Sequence, residues 1–254
     1  MSPLLKAQAI TMQFGGLKAV DNVDINIEVG EIHSLIGPNG AGKTTFFNVI
    51  SGIYIPTAGK VFFEDVDITR LKTHEITRKG ITRTFQNILL FETLTALENV
   101  MVGHHIKTKY NMVEGILQTK KMKTEELACI KESRRLIEFV GLEKYIETKA
   151  RNLPYGKKRI LEIARALASG PKIIMLDEPC AGMNDQEKDE LKETLIKIRD
   201  SGITILLVEH DMRFVMGISD VITVLDQGKK IFEGLPNEVI NNDEVIDAYL
   251  GRGD

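Results

Sequence analysis

Apolar and polar residues alternate through "VDNVDINIEVGEI" (20–32), setting Val23, Ile25, Ile27 and Val29 on one side and Asp, Asn and Glu on the other. A period of two is the mark of a half-buried strand, so residues 4–32 read as strands. "GKVFFEDVDIT" (59–69) reads as a short strand pair, and "VITVLDQGKKIFEG" (221–234) as a hairpin around Asp226-Gln227-Gly228. Three runs do not alternate: "IHSLIG" (32–37), "KIIMLDEP" (172–179) and "ITILLVEH" (203–210). Continuous apolar runs of this length fit strands buried on both faces. Helical periodicity follows each, which predicts an α/β chain built on a mostly parallel sheet. Residues 87–150 are charged and mainly helical in pattern, and "DEVIDAYLG" (243–251) predicts a closing helix.

The bulk numbers fit one large α/β domain with a sizeable core: 254 residues, 43% hydrophobic and 27% charged. A net charge of −3 gives no general attraction to nucleic acid. Two widely separated cysteines, Cys129 and Cys180, suit a reducing compartment rather than a disulfide scaffold. The longest apolar run is about six residues against the roughly 20 that span a bilayer. "MSPLLKAQAI" is too short and polar for a signal peptide. A soluble cytoplasmic chain is expected, reaching any membrane through a partner.

The first chemistry lies between a buried strand and a helix. "GPNGAGKT" (37–44) fits G-x-x-x-x-G-K-[ST] in the setting that pattern requires. Its glycines let successive N–H groups wrap a phosphate at the helix start. Lys43 is placed to reach the β- and γ-phosphates, and Thr44 to offer its hydroxyl to Mg²⁺. No guanine-reading N-K-x-D occurs, which favours ATP over GTP. Asp177 and Glu178 end the second apolar run. Neighbours at a strand end point in opposite directions, so they should have separate tasks: Asp177 holding Mg²⁺, Glu178 polarising water as general base. His210 ends the third run, and Gln86 follows the short strand pattern "ITRTF". One stretch is awkward. "LPYGKKR" (153–159) puts Lys157, Lys158 and Arg159 at the start of a helix, the end that repels cations. Either they lie in water or something anionic docks there.

In this order the motifs resemble the nucleotide-binding subunit of ABC transporters along nearly the whole chain. That resemblance implies a P-loop NTPase (RecA-like) core with a mostly parallel sheet, an antiparallel β subdomain and an α-helical signature subdomain. It implies a single ABC ATPase domain over 1–254, with core and β subdomain in 1–86 and 160–254 and the helical subdomain in 87–159. Gly37, Pro38, Asn39, Gly40, Ala41, Gly42, Lys43, Thr44 and Thr45 would form the nucleotide cradle. Phe14 would stack on adenine. Thr44, Gln86 and Asp177 would hold Mg²⁺, and Glu178, His210 and Gln86 would serve hydrolysis. "AGMN" (181–184) matches the D-loop, with Asn184 where an acid is usual. "LPYGK" falls at the signature, usually L-S-G-G-Q. Only Leu153 and Gly156 agree, and Pro154 supplies neither the usual hydroxyl nor an N–H. Gly156 and Lys157 would face the γ-phosphate held by the other subunit of a dimer, leaving Lys158 and Arg159 to solvent or to acids such as Glu162.

Within the family the resemblance is to the larger ATP-binding subunit of branched-chain amino acid importers, carried by "FGGLKAVDNV", "GITRTFQNILLFETLTALENV", "LLVEHDMRFVMGISD" and "VIDAYLG". The branch also includes urea/amide importers and the lipopolysaccharide-export ATPase. The 104–126 insert looks like the importer's, and its Met112, Val113, Ile116 and Leu117 suit one apolar helix face. The implied partners are a second nucleotide-binding subunit, identical or not, two transmembrane permease subunits and, indirectly, a substrate-binding protein. No nucleic acid is implied. Leu89, Leu90, Phe91, Leu94 and Leu97 give the segment after Gln86 more apolar surface than a solvated loop needs, which suits a groove for a membrane-subunit helix. The other readings are the same engine for another cargo, a soluble non-transport ABC ATPase, and a regulator that binds ATP without hydrolysing it.

Overall fold

Ten strands carry the apolar patterning in the computed structural model, which describes residues 2–107 and 120–250. They are β1 (Leu5–Phe14), β2 (Leu17–Ile27), β3 (Ile32–Ile36), β4 (Ala58–Phe63), β5 (Val66–Asp67), β6 (Ile81–Arg83), β7 (Ile173–Asp177), β8 (Thr204–Val208), β9 (Val221–Asp226) and β10 (Lys229–Gly234). The described α-helices are α1 (Lys43–Ile50), α2 (Thr73–Lys79), α3 (Ala96–Gly103), α4 (Lys120–Phe139), α5 (Tyr155–Ala168), α6 (Asp185–Asp200), α7 (Met212–Met216), α8 (Pro236–Ile240) and α9 (Asp243–Leu250). The chain divides into two compact units: Met1–Arg83, Lys172–Ala181 and Leu195–Asp254 form the first, Thr84–Pro171 and Gly182–Thr194 the second. Met112, Val113, Ile116 and Leu117 lie outside the described residues.

The first unit holds two sheets. One is antiparallel, ordered β2-β1-β4-β5; the other runs β10-β9-β3-β8-β7-β6 and is parallel from β9 to β6. Every residue of β3, β7 and β8 is buried, as their unbroken apolar runs require. Successive residues of β3 serve different cores. Leu35 packs with Phe46, Phe47, Met175 and Leu206 and with Ile25 and Ile27 of the antiparallel sheet, whereas Ile36 packs with Val215, Ile222 and Val239. The parallel sheet is therefore covered on both faces. The alternation of β2 buries Val23, Ile25 and Ile27, but Val29 is 68% exposed. It lies beyond the strand in the turn at Gly30, where a period of two no longer applies.

The second unit is helical. Thr95 caps α3 in a reciprocal box with Glu98: Thr95 Oγ1 accepts from the Glu98 N–H at 3.2 Å, and the Thr95 N–H donates to Glu98 Oε2 at 2.7 Å. Its most consequential side chain is Arg159 on α5, which is fully buried. Its guanidinium donates to Glu162 Oε2 at 2.7 Å and to the carbonyls of Phe85 at 3.0 Å and Gln86 at 2.8 Å. The other Glu162 oxygen accepts from the Leu89 N–H at 3.2 Å. The expectation that Arg159 turns to Glu162 holds; the expectation of solvent does not. A planar fork of donors can satisfy a carboxylate and two carbonyls at once, which an ammonium does less well. Arg159 thus ties the loop at Gln86 to α5.

Burial raises the Glu162 carboxyl above its ordinary value of 4.5, opposed by the Leu89 N–H and by Arg159. Arg159→Ala should destabilise the fold by about 3–5 kcal/mol, because it leaves a buried carboxylate without its cation. The folded Glu162 pKa then rises further, so the folded state binds more protons than the unfolded state. The variant's stability should therefore fall as pH rises from 4.5 through the raised folded value. Chemical denaturation of wild type and variant from pH 5 to 8 measures this; pH-independent loss would contradict it.

Candidate functional site

The loop from Gly37 to Gly42 leaves β3 at its C-terminal end and enters α1. Gly42 is the residue before the helix, at φ 101°, where an added Cβ would lie 2.3 Å from the Ala19 carbonyl oxygen. Only glycine fits that turn. No side chain caps α1, and its first turn holds no acid, so nothing on the helix itself competes for its N–H groups. Asn39, Gly40 and Thr44 are exposed, while Ala41 and Lys43 are buried. Lys43 Nζ donates to the carbonyls of Gly37 at 2.6 Å and Pro38 at 3.0 Å. Desolvation pulls the Lys43 pKa below its usual range, with Glu178 and then Asp177 opposing. Backbone donors, a buried ammonium and a free helix end form a cradle for a polyanion.

The two acids point to different partners, as neighbours at a strand end should. Asp177, 5% exposed, turns inward, and its Oδ2 accepts from Arg83 Nη2 at 2.8 Å. The same Arg83 donates to Asn48 Oδ1 at 2.7 Å and Ser51 Oγ at 3.0 Å, and lies over the Phe47 ring at 5.5 Å. Arg83 therefore fixes the Asp177 carboxylate against the back of α1. Glu178 is partly exposed and faces His210, with Nδ1 to Oε2 at 4.0 Å. Its backbone has φ 47°, a left-handed conformation that costs a non-glycine residue of order 1–3 kcal/mol. The Glu178 N–H donates to the Val208 carbonyl at 2.8 Å, which holds this turn against β8. Glu209 completes the corner. It is fully buried, and its carboxylate accepts from the backbone N–H groups of Cys180 at 2.7 Å, His210 at 3.0 Å and Asp211 at 3.4 Å.

Phe14 closes β1 as a 43% exposed ring, edge-on to Tyr54 with centroids 5.3 Å apart. The first unit thus brings Lys43, Thr44, Asp177, Glu178 and His210 to one end of the sheet. Gln86, Gly156 and Lys157 belong to the second unit. There Pro154 precedes α5, and the Gly156 N–H donates to Glu187 Oε1 at 3.0 Å. Lys157 Nζ pairs with Glu190 Oε2 at 2.7 Å. These two donors at the start of α5 are thus satisfied by acids of α6. Asn184 replaces the usual acid without loss of the cap: its Oδ1 accepts from the Glu187 N–H at 3.0 Å, and its own N–H donates back to Glu187 Oε2 at 3.1 Å.

Arg83, Glu187 and Glu209 were not singled out in the sequence. Each is a charged residue at an element's edge, and such a residue reads as solvated until its neighbours are known. The only local signal was at Glu187, three residues after Asn184, the spacing of a capping box.

Comparison with known proteins shows the family. Residues 20–181 match the family described as ABC transporter, and residues 229–254 match "Branched-chain amino acid ATP-binding cassette transporter". The chain is 43% identical, over 98% of its length and 98% of the other's, to the high-affinity branched-chain amino acid transport ATP-binding protein BraF of Pseudomonas aeruginosa. Its fold is similar to the ADP conformation of MJ1267, an ATP-binding cassette of an ABC transporter, with TM-score 0.86 and 32% identity over 99% of this chain and 100% of that one. It is also similar to the dimeric post-hydrolysis state of the cassette MJ0796 bound to ADP and Pi, with TM-score 0.75 and 28% identity over 91% of this chain and 98% of that one. The chain belongs to the ABC transporter family, in its branched-chain amino acid branch.

Proposed function

We propose that this protein is the ATP-hydrolysing subunit of an importer for branched-chain amino acids. Its membership of the ABC family makes it an ATP-binding subunit and an ATPase coupled to transport. The cargo reading rests on the match at 229–254 and the full-length likeness to BraF. The observation that carries the mechanism is the convergence of the cradle, Asp177, Glu178 and His210 at one end of the parallel sheet.

Lys43 and the N–H groups of the loop and α1 bind the phosphates. Among the described residues no group of three or more His, Cys, Asp or Glu side chains is placed to hold a metal. The donors present still fit magnesium: Thr44 offers a hydroxyl and Asp177 a carboxylate, both hard oxygens, and such sites take their other ligands from phosphate and water. Bound there, Mg²⁺ would neutralise phosphate charge. Glu178 acts as general base toward an attacking water, and His210, beside it, contacts the terminal phosphate. Phe14 stacks on the adenine ring. Two such subunits close over two nucleotides, a reading supported by the dimeric state of MJ0796. Among the described residues no helix is long and apolar enough to cross a membrane. The chain works on the cytoplasmic side, held to the membrane by permease subunits.

Glu178→Gln should leave ATP binding intact and slow turnover at least 10²-fold, since it removes a base and not the cradle. Equilibrium ATP binding and single-turnover hydrolysis test this; near wild-type turnover would remove Glu178 from the role.

Permease docking is assigned to the loop before α3. Phe91 is 50% exposed and Leu89 55%, whereas Leu97 is buried. The buried Asn99 pins the loop, accepting from the Phe91 N–H at 2.9 Å and donating to the Phe91 carbonyl at 3.1 Å. Phe91→Asp should abolish co-purification with the membrane subunits while ATP affinity stays within about twofold; normal assembly would sink the assignment.

Gly156 N–H and Lys157 are assigned to the γ-phosphate of the other subunit, in exchange for Glu187 and Glu190. On a Glu178→Gln background, Lys157→Glu should weaken ATP-driven dimerisation by about 1–2 kcal/mol, and Lys158→Glu much less. Sedimentation equilibrium with ATP separates them; equal small effects would mean that the basic run serves only α5 itself.

A further inference from the structure

The phosphate cradle and Glu178 account for binding and attack, but not for how two separate turns stay in register. Glu178 lies on the turn after β7, and His210 on the turn after β8. Nothing in either turn's sequence fixes its distance from the other. Strand pairing of Asp177 with Val208 sets the two turns side by side, and a group that touches both can hold their side chains at the observed 4.0 Å.

We propose that Glu209 is a positioning residue for hydrolysis: a buried carboxylate that locks the turn bearing Glu178 to the turn bearing His210. The inference rests on the reading of Glu178 and His210 given above. Glu209 is wholly enclosed, and its two oxygens serve different segments. Oε1 accepts from the Cys180 N–H, two residues beyond Glu178, at 2.7 Å. Oε2 accepts from the N–H groups of His210 and Asp211 at 3.0 and 3.4 Å. A carboxylate is the one side-chain group of this length that accepts at both ends. A carboxamide accepts at one oxygen and sets an NH₂ against an N–H at the other. A hydroxyl lacks the reach.

The strained backbone of Glu178 gives the lock something to hold. A non-glycine residue at φ 47° relaxes toward ordinary values unless its flanks are fixed. The preceding flank is fixed by its own N–H on the Val208 carbonyl at 2.8 Å. The following flank is fixed by Cys180 on Glu209. Releasing Cys180 lets the base drift from the water it must activate, and releasing His210 lets the phosphate contact drift with it. Neither change reaches the cradle, so nucleotide affinity should hold while turnover falls, the behaviour expected of a group that preorganises the chemical step.

Glu209→Gln is the direct test, since it changes no volume. Turnover should fall at least tenfold, with ATP affinity and KM within about twofold of wild type. Hydrogen exchange should show the Cys180 or His210 amide exposed while β7 and β8 keep their protection. In the His210→Ala background, the Glu209→Gln penalty should shrink, because the lock then has only Glu178 left to align. Glu209→Asp keeps both acceptors on a shorter arm and carries the same test should the Gln variant fail to fold. Wild-type turnover, a parallel loss of ATP affinity, or an undiminished penalty on His210→Ala would each overturn the proposal. Full activity of Glu178→Gln would instead overturn the assignment of the base, and a silent Glu209→Gln beside a dead Glu178→Gln would overturn this inference alone.

Discussion

The parallel register of β3, β7 and β8 is the constraint on which the chemistry depends. Leu35 pairs with Val208 across β3 and β8, and Asp177 pairs with Val208 across β7 and β8. Three strand ends therefore finish together, and each delivers a different tool just beyond its last residue: the cradle after Ile36, the acids at the end of β7, and Glu209 with His210 after β8. In open α/β sheets, ligands gather outside the carboxyl ends of parallel strands because loops there converge while both faces are covered. Slipping one strand by a single residue would turn Asp177 and Glu178 to exchanged sides.

Both units use the same device to hold a loop. A charged group is buried and then satisfied mostly by backbone rather than by an opposite charge. Arg159 takes two carbonyls besides Glu162, and Glu209 takes three N–H groups. Backbone partners cannot change rotamer, so such a contact fixes the path of the chain and not only the position of a tip. This suits turns whose own residues have little reason to prefer one geometry.

The sheet and the cradle were legible because their signals are local. Unbroken apolar runs gave β3, β7 and β8, and the glycine spacing gave the turn into α1. The opposite directions of Asp177 and Glu178 followed from the alternation of side chains at a strand end. What stayed hidden was whatever depends on a distant partner. Glu209 looks like the polar end of an apolar run until Cys180, 29 positions earlier, is seen to donate to it. Arg159 looks like the third cation of an exposed cluster until the carbonyls of Phe85 and Gln86 arrive beside it. Val29 shows the reverse case, where a pattern continues past the point at which the strand stops.

The hairpin of β9 and β10 turns through Gln227 and Gly228, and that tip is not idle surface. The Gly228 N–H donates to the Ala41 carbonyl at 3.1 Å, and the Gly228 carbonyl accepts from the Asp21 N–H at 2.8 Å. A two-residue hairpin tip is normally where a chain best tolerates a grafted tag, a cleavage site or a new pair of termini. Here the tip props the loop at Ala41, so lengthening it by even one residue would be felt along the turn into α1.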